Sequence, residues 1–134
     1  MRSHIECIEI AAPAAQTYEF VADLDRLSTW AIGFAKSVER SADGNFVTTA
    51  SGERVGIRLA LDPEHGVVDY LMSPRTGVQW PAYTRVLDIG GSSLYTFIML
   101  QAPDMPDEVF AGQIAELQRE LTVLKAHVES ACPL

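Results

Sequence analysis

The stretch PDEVFAGQIAELQRELTVLKAHV, residues 106–128, places Phe110, Ile114, Leu117, Leu121, Leu124 and Val128 at alternating spacings of four and three. That spacing keeps every apolar side chain on one face of a helix. The start signals agree. Asp104 stands where an N-cap belongs, Pro106 suits a first turn, and Asp107 and Glu108 suit the positive end of the helix dipole. Lys125 and His127 fall in the last turn, where cations are favoured. A helix of this length with one apolar face needs a broad surface to lie on. The segment before it supplies that surface, because its periodicity is two rather than 3.6.

Working back from the helix, Leu94 to Gln101 reads as a strand with two apolar faces. Tyr95, Phe97 and Met99 share one side, and Leu94, Thr96, Ile98 and Leu100 share the other. We place the aromatic set inward. Gly90-Gly91 makes a turn, and Val78 to Ile89 is a long strand interrupted near Pro81, which implies a bulge or an edge. Ser73 to Gly77 turns again, and Val67 to Met72 is a strand returning from the turn Pro63 to Gly66. Before that turn, Val55, Ile57, Leu59 and Leu61 alternate with Gly56, Arg58, Ala60 and Asp62. If Pro63 pairs with Gly66, Leu61 faces Val68, Leu59 faces Tyr70 and Ile57 faces Met72, all on the inner side. Arg58 and Asp69 then share the outer side. A turn one residue longer or shorter would bury Asp69 instead.

Two short strands, Ser37 to Arg40 and Phe46 to Thr49, flank the turn Ala42 to Asn45. Ser3 to Ile10 alternates as a strand, with His4, Glu6, Ile8 and Ile10 on one side. Pro13 to about Ala22 keeps helical spacing, and Leu24, Leu27, Trp30 and Ala31 suggest a second short helix ending near Gly33. The order is therefore one strand, two short helices, about six strands and one long helix: an α+β layout. A curved antiparallel sheet closing on one helix leaves space between them, which invites a cavity.

Ile8-Glu9-Ile10-Ala11-Ala12-Pro13, Tyr18-Glu19-Phe20-Val21-Ala22-Asp23 and Trp30 resemble the opening of the START-like superfamily, also called SRPBCC. This superfamily includes the polyketide cyclase/dehydrase-like proteins and the birch-pollen allergen. Trp30 to Phe34, Gly66 to Tyr70 and Ala102 to Met105 look like one bacterial subgroup of it. The resemblance spans nearly the whole chain, residues 1–134, as one domain. It implies a helix-grip fold with a pocket for hydrophobic or aromatic ligands. Its members include binders, transfer proteins, cyclases and dehydratases, so the fold does not choose the chemistry.

Composition narrows the partners. A chain of 134 residues with 48% apolar residues can build a real core. The formal net charge of −8 disfavours nucleic acid and anionic membrane surfaces. No stretch is long and apolar enough to cross a bilayer, and the opening Met-Arg-Ser-His-Ile-Glu does not resemble a signal peptide, so the expected location is cytoplasmic. Cys7 and Cys132 are then read as free thiols. The three histidines, His4, His65 and His127, have no metal-ligand spacing. No Gly-rich phosphate loop and no nucleophile elbow is found, so neither metal nor nucleotide cofactor is expected.

The ligand-binding residues expected from these faces and loops are Trp30, Phe34, Leu59, Tyr70, Met72, Trp80, Tyr83 and Phe97. Three functions fit. The first is binding of a small hydrophobic or aromatic molecule in the cavity. The second is a cyclase/dehydratase-like enzyme using general acid/base groups in the same pocket, for which Asp69, Tyr70, Arg58 and Arg85 are the candidates. The third is an interaction protein with a filled cavity and an apolar outer face. Two apolar faces on the last strand argue for a homodimer in any of the three.

Overall fold

The computed structural model describes residues 2–74 and 79–131. The turn expected at Ser73 to Gly77, the strand start at Val78, and Cys132 fall wholly or partly outside them. Cys7, the other thiol, is exposed. Strand β1 spans Ser3–Ile10, followed by the short helices α1 (Ala14–Val21) and α2 (Leu27–Trp30), the second entered through a turn of 3-10 helix at Leu24–Arg26. Strands β2 (Ala35–Ser41), β3 (Gly44–Thr49), β4 (Arg54–Asp62), β5 (Val67–Ser73), β6 (Trp80–Asp88) and β7 (Ser93–Leu100) follow, then helix α3 (Asp107–Ala131). All pairings are antiparallel, in one seven-stranded sheet of order β1-β7-β6-β5-β4-β3-β2.

The β4–β5 turn sets the register of the sheet's middle. Asp62 accepts from the amide of His65 at 3.3 Å and its carboxylate meets His65 Nδ1 at 2.8 Å. Gly66 closes the turn with φ at +68°, and a Cβ there would sit 2.1 Å from the Val86 carbonyl oxygen. Only glycine fits both demands. The resulting pairs are Leu61 with Val68, Leu59 with Tyr70 and Ile57 with Met72, as the alternation predicts.

The inner face of the sheet carries Ile10, Val47, Ile57, Val68, Tyr70 and Tyr95, all buried. Phe110, Leu117, Leu121, Leu124 and Val128 of α3 are buried as well, and the last four pack into the same core. The apolar stripe on the helix therefore meets the aromatic side of β7, as expected. Buried polar groups tie the layers together. Thr17 and Ser93 share a hydrogen bond of 2.7 Å, and Ser93 donates to the Ala12 carbonyl. Tyr70 donates its hydroxyl to the carbonyl of Val21, which fixes α1 to β5. Lys125 donates to the carbonyl of Glu9 and to Glu129, whose carboxylate also caps the amide of Ala11.

β6 runs unbroken through Pro81, which pairs with Leu71 of β5, and it lies inside the sheet, so the interruption with a bulge or an edge expected near Pro81 is not found. Pairing between β6 and β7 runs from Asp88↔Ser93 to Tyr83↔Ile98, and among the described residues it does not continue to Pro81. Proline has no amide proton to carry the ladder further. The β6 and β7 ends beyond that point border an opening toward α3.

Candidate functional site

A cavity of about 250 Å³ lies between the sheet and α3, beside that opening. Its sheet wall is Ile57, Tyr70, Met72, Trp80, Pro81, Ala82, Phe97, Met99 and Leu100. The loop around α2 adds Leu27, Trp30, Ala31, Gly33 and Phe34, and α3 adds Gln113, Glu116, Leu117 and Glu120. The volume exceeds the roughly 150 Å³ that accommodates benzene in a dry engineered cavity, so a larger ring system has room.

Six of the eight expected ligand-binding residues border this space: Trp30, Phe34, Tyr70, Met72, Trp80 and Phe97. Leu59 faces inward and packs on the core, but it is not on the cavity wall. Tyr83 requires a correction. It pairs with Asp69 and Ile98, lies on the outer face and is 41% exposed. The inward positions of β6 are the small or slender Ala82, Thr84 and Val86, because Tyr70 and Tyr95 already occupy the space above them. Leu61, expected on the inner face, stands beyond the end of the core and is 49% exposed.

Three of the four acid/base candidates are also outside. Arg58 and Arg85 are exposed, and Asp69 shares their outer face, where its carboxylate accepts from the amide of Thr84 at 3.4 Å. The alternation of strand faces puts them there once the β4–β5 register is fixed. Tyr70 does face the cavity, but its hydroxyl is already donated to Val21. Burial pushes its pKa well above the ordinary phenol value, so it stays protonated.

The ionisable groups at the cavity come from α3. Glu120 is 8% exposed, and its carboxylate accepts from the amide of Gly33 at 3.1 Å. Burial raises its pKa from 4.5 to about 7; the neighbouring charge of Glu116 pushes the same way, and the Gly33 amide opposes both. Glu116 lies one helical turn earlier, where Oε2 is buried without a hydrogen-bond partner and Oε1 meets Arg119 at 3.2 Å. Gly33 makes room for this pair. A Cβ on Gly33 would sit 2.6 Å from the Glu116 side chain. Its φ is not positive, so the glycine serves close approach and not a left-handed backbone.

The sequence reading passed over Glu116 and Glu120 because charges beside an apolar stripe usually face water. The signal was there in their spacing. Gln113, Glu116 and Glu120 sit three and four apart, on the flank of the stripe formed by Leu117, Leu121 and Leu124.

Aromatic rings form the floor. Trp30 meets Tyr95 edge-to-face at 6.2 Å and Tyr70 at 6.5 Å, and Tyr95 meets Phe97 at 6.4 Å. Trp30 is 2% exposed, yet its indole Nε1 has no hydrogen-bond partner. Among the described residues no group of three or more His, Cys, Asp or Glu side chains could hold a metal ion.

The fold recurs in solved structures. The protein Ara h 8.0201 aligns with a TM-score of 0.68 over 96% of this chain and 98% of its own, at 20% identity. A START superfamily protein from Mycobacterium smegmatis aligns with a TM-score of 0.66 over 96% and 98%, at 15% identity. The chain has the helix-grip fold. A third helix-grip neighbour, the Zhui aromatase/cyclase from Streptomyces sp. R1128, aligns with a TM-score of 0.67 over 96% of this chain and 93% of its own, at 19% identity. No family model and no curated protein matches the sequence. No helix among the described residues is long and apolar enough to cross a membrane.

Proposed function

We propose that this helix-grip chain binds a small hydrophobic or aromatic molecule in the cavity between its sheet and α3. The observation that carries the reading is the cavity itself: about 250 Å³ with a mostly apolar, aromatic wall left unfilled by the chain's own side chains. Empty apolar volume forfeits dispersion contacts on every side, and a ring compound restores them. Calorimetric titration with naphthylmethanol, a neutral aromatic probe, tests it. Saturable heat is expected in the native chain, and its loss in Ala82→Phe, which fills the cavity. If that variant fails to fold, Met72→Trp serves the same purpose. Absence of saturable heat with the native chain would end the proposal.

One observation favours a second reading, an acid/base enzyme of the cyclase/dehydratase kind. Glu120 is a carboxyl held near pH 7 at the wall of an apolar cavity, which suits proton transfer at neutral pH. The fold of the Zhui aromatase/cyclase adds to that reading. A turnover lost in Glu120→Gln, with folding and probe affinity intact, would establish it.

The homodimer also stands as a proposal, through the outer sheet face where Ile5 and Tyr83 flank Ile98.

A further inference from the structure

The polar side of the cavity is one-sided. Two carboxylates line it, and no Lys, Arg or His does among the described residues. Glu120 is almost fully buried and has a backbone amide, not a cation, as its partner. Glu116 keeps one oxygen buried and unpaired on the same wall. Arg119 spends its guanidinium on the other oxygen of Glu116 at the exposed side of the helix. Trp30, Phe34, Trp80 and Phe97 surround the remaining space. Faces of such rings attract cations, and they do so most strongly away from water.

A burial pattern of this kind is costly in the empty protein, because the Glu120 carboxyl, one oxygen of Glu116 and an unpaired indole N–H are held from water without full compensation. Such groups are satisfied by whatever fills the cavity. A carboxylate on the ligand would add a third negative charge. A purely apolar ligand would leave the glutamates as they are. Resting on the binding function proposed above, we propose that the ligand is a ring compound bearing a protonated amine, with its ammonium held by Glu116 and Glu120 and its rings among the aromatic side chains. Gly33 serves this site by letting Glu116 approach.

Binding then releases protons near neutrality. Glu120 is partly protonated in the empty chain at pH 7, since burial raises its pKa. An ammonium beside it favours the ionised form. The groups that face Glu120 are Glu116 and Arg119 from α3 and the amides of Gly33 and Phe34 from the loop after α2. Tyr95 of the sheet lies close enough to feel its charge, and its phenol remains protonated there.

Three probes of equal ring size separate the outcomes: naphthylmethylamine, naphthylmethanol and naphthoate, titrated calorimetrically at pH 8 and at pH 5.5. The amine is expected to bind at least about tenfold more tightly than the alcohol at pH 8, with naphthoate weakest. The preference should shrink at pH 5.5, and proton release should appear when buffers of different ionisation enthalpy are compared at pH 7. The double variant Glu116→Gln, Glu120→Gln should bind amine and alcohol alike. Alcohol binding equal to amine binding in the native chain overturns the ammonium site and leaves the apolar pocket standing. An amine preference that survives the double variant also overturns it. Binding of none of the three overturns the pocket reading and this inference with it.

Discussion

At the scale of single residues, Glu120 has a consequence for stability that its position in the cavity does not by itself reveal. Its pKa is about 7 in the folded chain and 4.5 by its ordinary value. Between those two values the folded state holds more protons than the unfolded one, so stability falls as pH rises through that window. The loss is complete above pH 7 and absent below about 4.5. A shift of this size corresponds to roughly 3 kcal/mol. Glu120→Gln removes the ionisation and should raise the urea midpoint at pH 8 but leave it nearly unchanged at pH 4.5. Equal effects at both pH values would show that the carboxyl is not perturbed. Gly33 provides a second test. Alanine there collides with Glu116, but the colliding atoms are the flexible end of a side chain, and the backbone is not left-handed. Gly33→Ala should therefore cost less than about 1 kcal/mol in denaturation, while affinity for naphthylmethylamine falls severalfold.

At the scale of elements, the sequence carried most of the fold because its faces were clean. In β4 the apolar residues Val55, Ile57, Leu59 and Leu61 alternate, and a four-residue turn closed by Gly66 leaves one register that sets the last three against Met72, Tyr70 and Val68 of β5. In α3 the stripe from Phe110 to Val128 defines the packed face without ambiguity. The same test fails where size and facing disagree. Tyr83 is the largest residue in the middle of β6, so its bulk suggested the inside. The inside there is filled from neighbouring strands by Tyr70 and Tyr95, and only Ala82 and Thr84 fit. Glu116 and Glu120 failed for the opposite reason. Their charge suggested water, and only the loop bearing Gly33, which folds over that flank of the helix, makes the position buried. Their spacing marks the flank of the stripe, but a contact between segments so distant in the chain leaves nothing in that spacing to show what covers it. The stripe itself makes a plain prediction: Leu121, 1% exposed, should cost roughly 2–5 kcal/mol when cut to alanine. An unchanged denaturation midpoint in Leu121→Ala would contradict the packing of α3 on the sheet.

At the scale of the whole molecule, two opposing terms decide whether two copies associate. The outer sheet face exposes Ile5 at 60%, Tyr83 at 41% and Leu87 at 39%, and Ile98 pairs with the first two across the strands. Covering such a patch gains about 25 cal/mol for each Å² of apolar surface removed from water. Against it stands the formal charge of −8 on each chain, which repels a second copy at range. Salt shortens that range to about 3 Å at 1 M but leaves the apolar gain in place. The homodimer should therefore strengthen with ionic strength, unlike an association built on ion pairs. Light scattering is expected to give a mass rising from 14.7 kDa toward twice that value as sodium chloride and protein concentration increase. Ile5→Lys and Tyr83→Lys, both on the sheet face opposite the cavity, should hold the mass at one chain while leaving naphthylmethanol binding intact. A mass of one chain at every concentration and salt would assign the outer face to solvent alone.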